Sequence, residues 1–203
     1  MLQAAMPELI LASASAARRT LLERAGLQFT ATAAAIDEAA VKQAAQREGA
    51  AADDTALLLA ALKAERIARR HPAALVIGCD QLLVCGDRWF DKPRDIEEAR
   101  AQLTALRGRS HTLMTAVLCL RDGQRLWQHV ARPRLTMRGF SDAFLDAYLA
   151  AEGEGLCATV GAYRLEGRGV HLFDAVAGEH AAIVGLPLLP LLGFLRQHGV
   201  LVG

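Results

Sequence analysis

One stretch of the sequence brings together side chains that could act on a phosphate group. In "VIGCDQLLVCGDRWFDKP", residues 76–93, an apolar strand runs into Asp80, and Lys92 follows soon after, next to Pro93. In open α/β sheets, ligands bind beyond the carboxyl ends of strands, where an unpaired carboxylate is costly unless it meets a cation. We therefore expect the strand to end on a functional acid. The alternative is a turn residue that accepts backbone N–H bonds.

A second strand end carries hydroxyl and cationic groups. In "LASASAARR", residues 11–19, Ser13 is followed by Arg18 and Arg19 at the start of a helix. Small residues allow close backbone approach, a helix N-terminus attracts anions, and arginine adds charge-assisted hydrogen bonds. This pattern favours a phosphate cradle, with an ordinary helix cap and solvated arginines as the alternative. The chain has no GxxxxGK[ST] motif, and no GxGxxG follows a predicted strand.

Composition excludes several function classes. The chain has 203 residues and a formal charge of +1, so no basic excess indicates nucleic-acid binding. Its most apolar stretch is too short to span a bilayer, and "ELILASASA" lacks the basic residues of a signal peptide. We expect a cytoplasmic protein with no nucleic-acid or membrane partner. The four cysteines show no zinc spacing, which predicts reduced, buried thiols.

The elements that must position these residues alternate along the chain. Turn signals "GD" and "RDG" predict hairpins, and capping residues predict helices after Asp95 and Ser141. Further helices are predicted over 38–48 and 54–70 and from Pro187. The pattern predicts an α/β protein, with one domain over residues 1–203 and two lobes around one sheet.

Taken in order, these segments resemble a known family. "LILASASAARRTLLERAGLQF", "IDE", "LKA", "VIGCDQ", "DKPRDIEEARAQLTALRGRSHT", "GAYRLEGRG" and "VGLPL" are similar to the Maf family of nucleoside triphosphate pyrophosphatases, over residues 9–195. The resemblance implies a Maf/ITPase-like fold, with a long mixed β-sheet, flanking helices and two lobes around a central cleft. It also implies cleavage of the α–β phosphoanhydride to a nucleoside monophosphate and pyrophosphate, with Mg²⁺ or Mn²⁺ as the divalent cofactor.

The resemblance assigns two carboxylates to the chemistry. Asp80 matches the family's proposed catalytic base, which orients or deprotonates water or holds the metal that does so. Glu38, in "IDE", matches an acid near the metal. Two carboxylates suit a hard cation that keeps several waters and also binds phosphate. Asp80 and Glu38 are therefore the expected metal ligands.

The resemblance also assigns the groups that meet the phosphates. Lys92, in "DKP", matches the lysine of the family's GKP and would neutralise developing phosphate charge. Lys63, in "LKA", matches a helical lysine with a similar role, and Ser13 and Arg18 match the turn that cradles phosphate. For both lysines the alternative is a solvated surface charge.

Three positions carry the family's choice of nucleobase. The dTTP/UTP type has arginine, threonine and glutamine there, and the 7-methyl-GTP type has an aromatic residue, glutamine and glutamate. This chain has Ala17, Gln81 and Glu166, so two of the three match the second type. A carboxylate at Glu166 can accept both N–H groups of guanine's Watson–Crick edge and favours a cationic base. The alternative is that Glu166 pairs with Arg164 or Arg168.

The chain also departs from the family at several positions. Ala17 offers no aromatic ring, so the base would lose a stacking contact or stack on another residue such as Trp89. Asp91 replaces the glycine of GKP, and "AGEH" stands where the family has an acidic segment before "VGLPL". Three hypotheses follow: a 7-methyl-GTP or modified-purine pyrophosphatase, a dTTP/UTP pyrophosphatase, and a nucleotide-binding regulator of cell division. Whether the protein forms a homodimer stays open.

Overall fold

The computed structural model describes residues 2–202, which form one mixed sheet with helices around it. The sheet has eight strands in the order β2-β1-β3-β5-β7-β8, with β4 paired to β3 and β6 paired to β5. The predicted α/β class with a long mixed sheet is confirmed. The strands are β1 (Leu9–Leu11), β2 (Thr30–Ala31), β3 (Leu75–Cys85), β4 (Arg88–Phe90), β5 (Ser110–Arg121), β6 (Gln124–Ala131), β7 (Arg134–Met137) and β8 (Phe173–Ala177).

Seven α-helices flank the sheet within the described residues. They are α1 (Ala16–Arg24), α2 (Glu38–Arg47), α3 (Ala52–Ala68), α4 (Ile96–Leu106), α5 (Asp142–Glu152), α6 (His180–Val184) and α7 (Leu188–Gln197). Short 3₁₀ segments follow α5 over residues 153–172. No helix in residues 2–202 combines the length and apolar character needed to cross a membrane.

Local signals place most of these elements correctly. The Asp95 carboxylate accepts the backbone N–H of Glu98 at 2.7 Å, and the Ser141 hydroxyl accepts that of Phe144 at 3.2 Å, so both predicted caps are confirmed. The "RDG" hairpin is confirmed as well, with Asp122 and Gly123 both at positive φ. Such φ values are what a two-residue hairpin turn requires.

Two local predictions need correction, and one short helix was missed. The long strand predicted after "RDG" is two strands, β6 and β7, which both pair with β5. Pro133 lies between them and has no N–H to donate, so the pairing with β5 is interrupted there. Helix α6 was not predicted, since five residues are too few to show a helical period. Pro187 is the residue before α7 rather than its first residue.

The strand that carries Asp80 does not end there, which contradicts the prediction. β3 continues through Asp80 to Cys85 because apolar residues resume after Gln81 and stay buried. Its neighbour ends instead: β1 runs parallel to β3 in the register Leu11↔Ile77 and stops at Leu11. Asp80 therefore lies beyond the carboxyl end of β1, in the middle of its own strand.

The chain divides into two compact units, each with its own hydrophobic core. The first comprises Met1–Asp80, Thr115–Ala131 and Gly185–Gly203, and the second Gln81–Met114 and Arg132–Val184. The first core is mostly aliphatic and includes Leu9, Leu22, Ile77, Val117, Leu191 and Leu195. The second is richer in aromatic residues and includes Leu103, Phe90, Phe140, Tyr148 and Tyr163. One domain over the whole chain stays a prediction.

Candidate active site

A lysine between two carboxylates forms the centre of the first unit's polar cluster. The Lys63 ammonium group donates to Asp80 Oδ1 and to Glu38 Oε1, the latter at 2.7 Å. Asp80 is 3% exposed and Lys63 7%, so the interpretation of Lys63 as a solvated surface charge is wrong. The three predicted residues thus come together as one ammonium group between two carboxylates.

Close packing of α3 on β3 brings Lys63 to Asp80. A Cβ atom at Gly78 would collide with the carbonyl oxygen of Ala60 and would lie 2.8 Å from the Cβ of Ala64. Only glycine allows the helix and the strand to approach this closely. Lys63 lies on the same helical face as Ala60, so the packing that needs Gly78 also directs the lysine toward Asp80.

The N-terminus of α2 supplies Glu38. Asp37 caps this helix, its carboxylate accepting the N–H of Ala40 at 2.9 Å, and Glu38 is the first helical residue. The side chain of Glu38 is 44% exposed, in contrast to the nearly enclosed Asp80. The cluster therefore has one buried acid and one acid open to water.

The electrostatics keep Lys63 charged. Burial by itself lowers the pKa of a lysine, but the attraction of Asp80 and hydrogen bonds to Asp80 and Glu38 outweigh it, so the pKa of Lys63 is raised. Asp80 Oδ2 is buried and accepts no hydrogen bond from residues 2–202. A buried acceptor without a donor is unfavourable in free energy. The oxygen is therefore ready to accept a proton or to contact a cation.

Arg18 holds the backbone beside Asp80. Its guanidinium donates to the carbonyls of Gly185 at 2.8 Å and Cys79 at 2.9 Å, and to the Ser13 hydroxyl at 3.3 Å. Beyond Ala12, whose N–H donates to the Ile77 carbonyl at 2.8 Å, the chain turns into α1. Arg18 therefore takes over as donor to the strand carbonyl that precedes Asp80. The interpretation of Arg18 as a solvated arginine is wrong, and phosphate contacts by Ser13 and Arg18 stay predictions.

Other predicted residues belong to the second unit. Lys92 is exposed in the segment after β4, and Trp89 is half-buried within β4. The Gln81 amide donates to the carbonyls of Ala182 at 3.0 Å and Ile183 at 3.1 Å, at the end of α6. These contacts hold the Gln81 amide at the end of α6.

Glu166 is exposed, and its neighbouring arginines bind another acid. Arg164 donates to Glu152 Oε2 at 2.7 Å, and Arg168 donates to Glu152 Oε1 at 3.2 Å. Within the described residues, no ion pair within 4 Å joins Glu166 to either arginine, but Glu166 and Arg164 attract each other electrostatically, so the surface pairing stays an alternative. Glu152 was missed from the sequence. Its one signal is an acid at the last position of α5, where the helix dipole disfavours negative charge unless cations lie nearby.

Comparison with known proteins establishes the family. The family described as "Maf-like protein" matches residues 8–198 of the chain. The chain belongs to the Maf family. The resemblance inferred from the sequence motifs is confirmed. The matched range includes every candidate site residue described above in both units.

Curated Maf relatives are similar over nearly their whole length. A nucleoside triphosphate pyrophosphatase of Granulibacter bethesdensis is 58% identical over 96% of this chain and 98% of the relative. A protein of the same name from Rhodospirillum rubrum is 53% identical over 99% of this chain and all of the relative. A 7-methyl-GTP pyrophosphatase of Rhizobium etli is 48% identical over 97% of this chain and 99% of the relative.

Proposed function

We propose that this Maf protein hydrolyses the α–β phosphoanhydride of a nucleoside triphosphate, giving the monophosphate and pyrophosphate, with 7-methyl-GTP or a related purine nucleotide as substrate. The observation that carries the proposal is the buried Asp80 carboxylate, which Lys63 holds at Oδ1 and to whose Oδ2 residues 2–202 donate no hydrogen bond. The relatives named as pyrophosphatases support the reaction. Those named for 7-methyl-GTP support the substrate class.

Asp80 acts as the general base. Oδ2 accepts a proton from the attacking water, while the hydrogen bond from Lys63 to Oδ1 fixes the orientation of the carboxylate. Arg18 keeps the Cys79 carbonyl in place, so the base stays on a rigid strand. Phosphoanhydride hydrolysis depends on positioned water and compensated charge rather than on a protein nucleophile. Lys92, in the "DKP" motif, is proposed to neutralise phosphate charge, as the family resemblance implies.

The carboxylates fit a hard divalent cation. Within residues 2–202 no group of three or more His, Cys, Asp or Glu side chains is arranged to hold a metal ion. Two carboxylates nevertheless suit Mg²⁺, which keeps several waters and shares substrate phosphates. Glu38, half open to water, would hold the ion directly, and Asp80 Oδ2, which serves as the base, would reach it only through a bound water. When bound, the ion neutralises charge on the phosphates and lowers the pKa of a bound water.

Glu166 selects the base. Its exposed carboxylate can accept both donors of guanine's Watson–Crick edge, and it attracts a base made cationic by N7-methylation. It cannot donate to the carbonyl groups of uracil or thymine. Glu166 therefore favours a purine with donor groups.

Product analysis with a nucleotide panel tests the proposal. The protein is incubated with Mg²⁺ or Mn²⁺ and 7-methyl-GTP, GTP, UTP or dTTP, and phosphorus NMR identifies the products. We expect pyrophosphate and monophosphate, with the purine substrates cleaved faster. Diphosphate and orthophosphate as the main products would contradict the bond assignment. Faster cleavage of UTP and dTTP would favour the pyrimidine type, and binding without turnover would favour a regulator.

A further inference from the structure

The loop that carries Glu166 is anchored to a single buried carboxylate. The Glu152 side chain is 1% exposed, whereas Arg164 and Arg168, which bind its two oxygens, are 44% and 65% exposed. Arg168 also lies 3.5 Å from the Ala151 carbonyl at the same helix end. The two arginines that flank Glu166 in the sequence thus both point to the C-terminus of α5.

The loop between the arginines is closed on itself. The N–H of Gly167 donates to the Arg164 carbonyl at 3.1 Å. A Cβ atom at Gly169 would collide with that same carbonyl and lie 2.8 Å from the Arg164 nitrogen, so the two ends of the loop touch. Glu166 lies at the tip of this turn and is exposed. The backbone and the Glu152 contacts together fix where its carboxylate is presented.

Glu152 is ionised in this arrangement and holds both arginines by direct contact, whereas Glu166 attracts Arg164 only at longer range. The hydrogen bond from Arg164, aided by that from Arg168, holds the pKa of Glu152 below its ordinary value. A carboxylate that receives one arginine on each oxygen makes two charge-assisted hydrogen bonds in a nearly enclosed position. An ion pair with the exposed Glu166 would be screened by water and weak. The arginines therefore stay with Glu152.

We propose that Glu152 is a positioning residue for base selection, which holds Arg164 and Arg168 so that the Glu166 carboxylate stays available to a cationic purine. This inference rests on the proposed function. Without the charge of Glu152, two arginines within two residues of Glu166 would neutralise it and repel an N7-methylated base. A neutral guanine base would be affected less, because it carries no positive charge.

The test is Glu152→Gln, which keeps the side chain's shape and removes its charge. We expect the ratio of kcat/KM for 7-methyl-GTP to that for GTP to fall roughly 10-fold, the worth of one charge-assisted hydrogen bond. The fall should shrink as salt is raised, because screening weakens repulsion between exposed charges. A purely structural defect would not depend on the charge of the base or on salt in this way.

A rescue experiment separates positioning from general damage. In the triple variant Glu152→Gln, Arg164→Gln, Arg168→Gln, no arginine is left to neutralise Glu166, so the ratio should return toward the wild-type value. Asp146→Asn is the matched control, since Asp146 also lies on α5 and binds Arg100 at 2.6 Å in an exposed pair. We expect the control to keep the wild-type ratio.

Each outcome decides the inference. An unchanged ratio in folded Glu152→Gln overturns it, and so does a lowered ratio that the triple variant does not restore. If Glu152→Gln does not fold, Glu152→Asp is the second variant. It keeps the charge, but its side chain is one methylene too short to bind both arginines. An unchanged ratio of kcat/KM in Glu152→Asp overturns the inference equally. Absence of pyrophosphate release by the wild-type protein would instead refute the proposed function, and the inference with it.

Discussion

Each unit contains a three-membered ionic cluster, and the two have opposite charge patterns. In the first unit one ammonium group, that of Lys63, lies between the carboxylates of Glu38 and Asp80. In the second unit one carboxylate, that of Glu152, lies between two guanidinium groups. The first cluster has an excess negative charge, and the second an excess positive charge beside the exposed Glu166.

The difference between the clusters lies in which members are buried. Lys63 and Asp80 are both enclosed, so their charges stabilise each other away from water, and the loss of Lys63 leaves the buried Asp80 without its cation. In the second cluster only Glu152 is enclosed, and water solvates the arginines. We therefore expect changes in the first cluster to affect stability and turnover, and changes in the second to affect selectivity.

The largest expected effect is on stability, from Lys63→Met. The substitution leaves Asp80 and Glu38 without their shared cation, and we expect the free energy of unfolding to fall by about 3–5 kcal/mol. Denaturant unfolding measures it. Arg66→Met, an exposed cation on the same helix, is the control and should change stability by less than about 0.5 kcal/mol. Equal stability of Lys63→Met and wild type would contradict the view of the cluster as a buried charge network.

A fall in pH should destabilise the second unit through protonation of the buried His111. His111 is 2% exposed, its Nε2 lies 2.8 Å from the Tyr163 hydroxyl, and burial lowers its pKa to about 4. The unfolded chain binds a proton near the ordinary pKa of about 6.5. The stability contributed by neutral His111 is therefore complete above pH 6.5 and is lost as the pH falls toward 4, by about 3 kcal/mol.

Unfolding free energies measured between pH 7.5 and 4 test this pH dependence. His111→Gln has no imidazole to protonate, so its stability should change much less between pH 6.5 and 5 than that of the wild type. A wild-type stability that stays flat over this interval would rule out a buried neutral histidine. Carboxylates contribute mainly below this range, which separates their effect from that of His111.

Asp80→Asn should abolish most turnover while the protein stays folded. The amide keeps the size of the side chain but cannot accept the proton of water, so we expect kcat to fall by at least about 100-fold. Pyrophosphate release under saturating substrate measures kcat. Asp87→Asn, at an exposed position in the turn between β3 and β4, is the matched control. Near-normal turnover by Asp80→Asn would show that Asp80 is only a structural residue of the strand.

The smallest effect is expected from Glu166→Gln, and it should appear in selectivity. The amide offers one acceptor oxygen and no negative charge, so the preference for 7-methyl-GTP over UTP should fall by about 1–3 kcal/mol in kcat/KM. Glu154→Gln, another exposed glutamate in the second unit, is the control. A folded Glu166→Gln variant with the wild-type preference would place base selection elsewhere.

The sequence by itself determined the features that depend on near neighbours. Helix caps at Asp95 and Ser141 and the "RDG" hairpin follow from side chains and φ angles within a few residues. Motif order identified the family, and with it the candidate residues Asp80, Glu38 and Arg18. These signals are readable because hydrogen bonds at caps and turns join residues close in the chain.

Only the tertiary structure decided which charges meet. That Asp80 lies in mid-strand depends on where the neighbouring β1 ends, and that Lys63 is buried depends on α3 packing onto β3 at Gly78. Likewise, Glu152 takes Arg164 and Arg168 because the loop that carries them folds back onto the end of α5. Each ion pair joins different segments of the chain, at least 12 residues apart, so no pattern among near neighbours predicts it.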